Sequence, residues 1–337
     1  MPGLLLLGYA LAMAMAGTWW LPRASWPRRL PRLGIAAWQA LTVTCVGSAL
    51  LGCLLIAIPC LPEGVNLDVV AELRAHYSSA GGIALGTTAA AASLAAIARL
   101  AWAAMSAMTM ARRRRARHDE TLALVGRPGP VSGMVVLDDD LPLVYCLPGR
   151  GRVVVTTGAL NRLDKAQLQA VIAHERAHLS ARHHLVIMLA RVLPDAFPGI
   201  RFLATAADQI GALVEMAADD SAGRQHRLPL ARALLALAAS PALAGSPVLA
   251  PALGVAHTAG GQRIRRLLDQ PRPGSPIGRA AGFTVTLLAA PALALAVPVC
   301  ALLAAPRCPH TPPSPPPAAS VPHALPGTPA APGTQLH

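Results

Sequence analysis

The stretch that decides the reading is AVIAHERAHLSARHH, Ala170 to His184. Within it His174, Glu175 and His178 form an HExxH pattern. Four residues separate the histidines, so on a helix both rings leave the same face, one turn apart. Two imidazoles so placed can bind one Zn²⁺ at about 2.0–2.1 Å. Glu175 lies about 100° further round, where it addresses a water on the metal and not the metal itself. Leu168, Val171, Ile172 and Leu179 share its side of the wheel, and a carboxylate set in an apolar stripe needs a partner. Asp164 and Gln167 read as a capping box opening a helix from Lys165 to about Arg182.

A zinc site needs a third ligand, and VEMAADDSAGRQH (Val214 to His226) supplies one. Glu215 and Asp219 are four apart and share a helix face. Glu215 can be the ligand. Asp219 can accept from the far nitrogen of a ligand histidine and fix its tautomer. Three strong ligands leave an open coordination position, which suits catalysis better than a closed structural site. A structural zinc in a non-enzymatic membrane scaffold, and a chance HExxH, are the competing readings. Arg224 and His226 are candidates for an additional donor to an oxyanion. His183 and His184 read as interfacial residues, and His118 as part of a basic linker.

Outward from this core the composition is that of a membrane protein. Of the 337 residues 54% are hydrophobic and only 13% charged, against about 25% charged in a soluble protein. The net charge of +13 comes from 28 Arg and a single Lys. With so much Ala, Pro and Gly this reads as GC-rich, bacterial codon usage, and it argues against nucleic acid as a direct partner. Gly3 to Leu21, Ile35 to Leu61, Ala80 to about Leu100 and Ala280 to Ala305 are each long and apolar enough to span a bilayer. Arg23, Arg28, Arg29 and Arg32 follow the first span. Five Arg lie in ARRRRARHDE (Ala111 to Glu120), and Arg263, Arg265, Arg266, Arg272 and Arg279 precede the fourth. The loop from Pro62 to Ser79 has one Arg and three acids. Positive loops stay inside, so residues 111–279 are expected in the cytoplasm of a multi-pass plasma-membrane protein. Cys60 and Cys308 would then share the oxidising side, where they either pair or remain small apolar residues.

Four regions follow: 1–110, three membrane helices; 111–279, a cytoplasmic peptidase-like domain; 280–305, the fourth span; 306–337, a disordered Pro-rich tail outside. In the domain GMVVLD, LVYCL and RVVVTTG (Gly133 to Gly158) read as strands, with a hairpin turn at Pro148 to Gly151. Helices are expected at about Thr205 to Gly223 and Pro229 to Ala239. The apolar run from Leu185 to Leu203 carries Arg191, Asp195, Arg201 and two prolines, and reads as buried or membrane-hugging.

HExxH with ExxAD (Glu215 to Asp219), and VVVTTGAL shortly before the helix, resembles the BlaR/MecR-type membrane metallopeptidases. More distantly it is similar to membrane proteases of the CAAX-prenyl-endopeptidase and heat-shock type. The resemblance implies a mainly α membrane protein with an α+β zincin-like (gluzincin) domain, holding one zinc on His174, His178 and Glu215 with Glu175 as general base. It implies an edge strand that pairs with extended substrate, either Val153, Val154, Val155 and Thr156 or Val144 to Leu147. The substrate would be a protein, foremost a small DNA-binding repressor cut in a signal-transduction step, with quality control as the alternative. Self-cleavage near Arg112 to Arg117 is possible by the same likeness. The sensor-transducers carry a large extracellular domain after the last span. Only the Pro-rich tail follows here, so a signal would come from a partner sensor, the tail or the spans.

Overall fold

The computed structural model describes residues 2–57, 80–149, 151–239 and 260–269. The expected fourth span, the tail and the Cys60–Cys308 pair lie outside these residues. Three helices among them are long and apolar enough to cross a membrane: Gly3–Arg23, Pro31–Ala57 and Gly81–Val125. Their outer surfaces carry Leu5, Leu11, Val43, Leu94 and Trp102, all more than half exposed. Such a surface suits lipid, where an all-apolar circumference has no hydrophobic cost.

Helix α1 (Pro2–Trp19) packs along α3 (Pro31–Ala57), with the short α2 (Trp26–Arg29) between them. Helix α4 runs unbroken over 46 residues from Ala80 to Val125, about 69 Å at 1.5 Å per residue. This corrects the expectation of a basic linker. The Arg run at 112–115 is helix, and a boundary at residue 110 falls mid-element, because no Gly or Pro interrupts the chain between Gly86 and Gly126.

A four-stranded sheet follows, from β1 (Arg127–Pro128), β2 (Met134–Leu137), β3 (Val144–Leu147) and β4 (Arg152–Thr156), in the order β1-β2-β4-β3. Strand β4 runs parallel to β2 and antiparallel to β3, with Tyr145 opposite Val154. Val153 and Val155 face Met134, Ala159 and Ile172, whereas Val154 faces Leu122 and Leu147. A strand covered on both faces reads as an unbroken apolar run. The Val153–Thr156 segment is therefore interior and cannot take a substrate strand, since both its edges are already hydrogen-bonded. The outer strands of the described sheet are β1, two residues long and ending in a proline, and β3. Thr156 ends β4, and its hydroxyl caps α5 (Thr157–Arg162) by accepting from the Ala159 amide at 3.2 Å.

Helix α6 (Lys165–Ser180) opens with the expected capping box: Asp164 accepts from the Gln167 amide at 2.8 Å, and Gln167 accepts from the Asp164 amide at 3.1 Å. It closes where Arg182 takes a left-handed conformation, φ 51°. That residue turns the chain into α7 (His183–Ala196). Helices α8 (Arg201–Ser221) and α9 (Arg227–Ala238) follow, and residues 260–268 form α10.

The main core joins the long apolar helices to the part that carries the HExxH helix. Ile35, Trp38 and Leu41 of α3 pack with Phe202, Ile210, Leu213 and Val214 of α8. Gly34 permits this approach, for a Cβ there would lie 3.0 Å from Leu213. A second cluster sets Ala170 and Val171 of α6 against Leu230, Ala233 and Leu267. Helix α8, which carries Glu215 and Asp219, is thus clamped between a membrane-type helix and α6.

Candidate metal centre

On α6 the two histidines turn their rings toward one point, Nε2 to Nε2 at 3.1 Å. Helix α8 brings Glu215 to the same point: Oε2 is 3.5 Å from His174 Nε2, and Oε1 is 3.6 Å from His178 Nε2. The three donors lie within 4.8 Å of one another. A tetrahedral zinc with bonds of about 2.0–2.1 Å has ligand–ligand edges of roughly 3.3–3.4 Å. The spacing and the donor set of two imidazoles and a carboxylate both fit that ion.

Asp219, 1% exposed in its side chain, sits behind His174 with Oδ1 3.0 Å from Nδ1. The contact is close but off the line an N–H donor prefers, and Nδ1 has no other partner among the described residues. Behind His178 stands His183, Nδ1 to Nδ1 at 3.3 Å. His183 is buried, which corrects its reading as an interfacial residue. The left-handed turn at Arg182 breaks the helical register and swings it under the site. His184 is half-buried, and His118 reaches the Tyr145 hydroxyl at 2.8 Å.

Burial pushes His178 down to about 4, leaving a neutral ring with a lone pair to give. At His174 burial also pushes down, but the Asp219 and Glu215 carboxylates outweigh it and lift the ring to about 9. A metal ion bound here would take the place of that proton. Glu175 is half-buried one position on, raised by burial and contacted by the Cys146 thiol of β3. Burial and the Glu175 charge push that thiol up to about 12. The candidate base thus lies directly beside β3, an outer strand of the sheet.

Sequence reading missed Arg263 on α10. Its guanidinium bridges Glu215 at 2.9 Å and Asp219 at 2.7 Å. It lies 89 positions beyond His174 in an Arg-rich run that speaks first of topology, so no local pattern marks it. Of the two candidate oxyanion donors, the Arg224 side chain lies outside the described residues. His226 lines an open cavity of ≈ 640 Å³ with Gln169, Ala173, Arg176 and Ser180, on the turn of α6 away from its histidines.

Burial alone would raise the Glu215 and Asp219 carboxyls, yet His174 and Arg263 hold each at about 2. Carboxylates depressed by folding add stability above their unfolded values of 4.5 and 3.8, and the gain is lost as pH falls through the folded ones. Metal-stripped protein should therefore lose thermal stability in acid between about pH 4.5 and pH 2, and Asp219→Asn should flatten that limb. Melting curves against pH check it; limbs of equal depth in both proteins would refute it.

Part of the sequence that builds this arrangement is similar to known proteins. Residues 109–241 match the model of Peptidase family M48. The stretch takes in the long helix's basic end, the sheet, both histidines and both acids, and is under half of the chain. Among curated proteins, the chain is 35% identical over 92 residues to "Protease HtpX homolog" of Acidiphilium cryptum (strain JF-5), covering 26% of this chain and 31% of that one. It is 36% identical over 80 residues to "Protease HtpX homolog" of Methanothermobacter thermautotrophicus, 23% of this chain and 30% of the relative. "Protease HtpX homolog 1" of Streptomyces coelicolor is 35% identical over 78 residues, 22% and 25%. The chain spans a third or less of the length of these relatives. No solved structure matches. These similarities indicate a zinc metalloprotease domain of the membrane-protease group that was the more distant resemblance. They do not show the BlaR/MecR type.

Proposed function

We propose that this chain is an integral-membrane zinc endopeptidase that cuts an extended segment of a cytoplasmic or membrane protein at the cytoplasmic face. One observation carries the proposal. His174, His178 and Glu215 converge at zinc spacing while Glu175 lies beside an outer strand of the sheet. The Arg-rich loops support the cytoplasmic side, and the core shared by α3 and α8 supports a centre fixed at the membrane surface. A cut in a repressor rested on the BlaR/MecR resemblance, which the matches do not carry, so the proposal names no repressor and no partner sensor.

His174, His178 and Glu215 would hold the metal, with Asp219 orienting the first histidine. Zinc bound there would supply Lewis-acid activation of water for amide hydrolysis. The chain's own groups do the rest. Strand β3 offers its outer edge to a substrate strand, which would fix the peptide by main-chain hydrogen bonds and tolerate many sequences. Glu175, its carboxyl raised by burial, accepts a proton from the attacking water at a carboxylate oxygen and returns it to the leaving amide nitrogen.

The test compares wild type with His178→Ala. Purified in detergent, wild type should hold about one zinc and the variant far less. Cells expressing wild type should contain protein termini absent from cells expressing the variant. Zinc in the wild type with identical termini would turn the reading to a structural ion in a scaffold. No zinc in the wild type would overturn it.

A further inference from the structure

The metal centre described above uses residues of α6 and α8 alone, all inside the 109–241 match. One more group enters it from beyond that range. Arg263 of α10 is 14% exposed in its side chain and spreads its guanidinium over both acids of α8. Nε donates to Asp219 Oδ2 at 3.0 Å and Nη2 to Asp219 Oδ1 at 2.7 Å, and Nη1 forms an ion pair with Glu215 Oε2 at 2.9 Å. Nη2 also lies 3.5 Å from His174 Nε2. A single rigid fork therefore touches the carboxylate ligand, the carboxylate behind the histidine, and the edge of the histidine.

The fork is held by its helix. Leu267 is buried against Val171 of α6 and Leu230 of α9. Arg266 reaches Asp220 at 2.6 Å and the Arg28 carbonyl, between the first two spans, at 3.0 Å. Arg227 donates to the carbonyls of Leu267 at 3.3 Å and Asp269 at 3.0 Å, which satisfies acceptors that a helix end leaves open.

We propose that Arg263 is the positioning residue of the metal centre: its planar guanidinium sets Glu215 toward the two histidines and aims Asp219 at His174. This rests on the zinc reading of that site. A buried Asp219 needs one cation, and two arms of the fork already serve it. The third arm, on Glu215, is the one that pure charge neutralisation does not require. Lysine keeps the charge but cannot hold Asp219 through two parallel hydrogen bonds while a third nitrogen of the same plane pairs with Glu215. Groups that orient ligands in this way typically govern metal affinity by about 10- to 100-fold.

The experiment uses the full chain in detergent. Zinc affinity is measured by competition with a chromophoric chelator, and Co²⁺ is loaded in parallel because its visible bands report ligand geometry. Arg263→Lys should weaken zinc binding by about 10- to 100-fold and shift the Co²⁺ bands. Arg265→Ala, at an exposed neighbour, should do neither. Leu267→Ala, which loosens α10 without touching the centre, should weaken zinc binding in the same direction, and it carries the test if Arg263→Lys does not fold. Variants that bind zinc within twofold of wild type with unshifted Co²⁺ bands overturn the proposal. A wild-type chain that binds neither metal overturns the zinc reading and this proposal with it.

Discussion

Glu175→Gln is expected to lower kcat by about 10²–10⁴-fold, the range a positioned general base supplies, and to leave bound zinc unchanged. The two effects separate because Glu175 is not one of the three convergent donors, His174, His178 and Glu215. Gln keeps the shape of Glu and its contact with the Cys146 thiol's neighbourhood but cannot take a proton. Burial raises the Glu175 carboxyl above its ordinary 4.5, which brings it nearer the pH at which it must work. The acid limb of kcat/KM in wild type should therefore lie above the ordinary carboxylate range, and it should vanish in the residual activity of the variant. Rates on a quenched fluorescent peptide library, with zinc measured on the same samples, check both. Glu215→Gln is the contrast, since it should lose metal and rate together. Full activity in Glu175→Gln would remove Glu175 as the base, and loss of zinc there would place it among the ligands.

Local patterns in the sequence carried the centre of this site. His174, Glu175 and His178 lie within one helical turn, and the Asp164–Gln167 box that starts their helix is a three-residue relation. Glu215 and Asp219 are likewise one turn apart, so their shared face needs no knowledge of the fold. What pairs with what across the chain is less legible. The Val153–Val155 run carries the mark of an interior strand, apolar on both faces, yet its shortness also suits an edge. Only the order β1-β2-β4-β3 shows that β4 is interior and that β3 is an outer strand. The continuity of α4 through its Arg run was present as an absence of breakers between Gly86 and Gly126, outweighed by the habit of ending a span at its first charges. His183 depends on a left-handed non-glycine at Arg182, which no propensity announces. Arg263 meets Glu215 across 48 positions and Asp219 across 44, so tertiary packing alone could reveal it.

Trp38→Ala should destabilise the detergent-solubilised chain by about 3–5 kcal/mol, the usual cost of removing a buried aromatic from a packed core. Trp38 is fully buried, its ring centroid 6.4 Å from that of Phe202, although it sits on a helix apolar enough to cross a membrane. Lipid or detergent cannot refill this site, because Ile210, Leu213 and Val214 of α8 form the other wall. The loss is large against a total stability of about 5–15 kcal/mol. It also reaches the metal centre, since Val214 and Met216 of this cluster flank Glu215 in the chain. Trp102→Ala, at a residue 71% exposed on α4, should stay within about 0.5 kcal/mol. The check is the half-life of zinc retention on heating for both variants, because unfolding of a membrane chain is read best as a rate. A large effect at Trp38 with none at Trp102 would mean that the membrane helices and the metal centre share one cooperative core. Equal half-lives would mean that α8 holds Glu215 without help from α3.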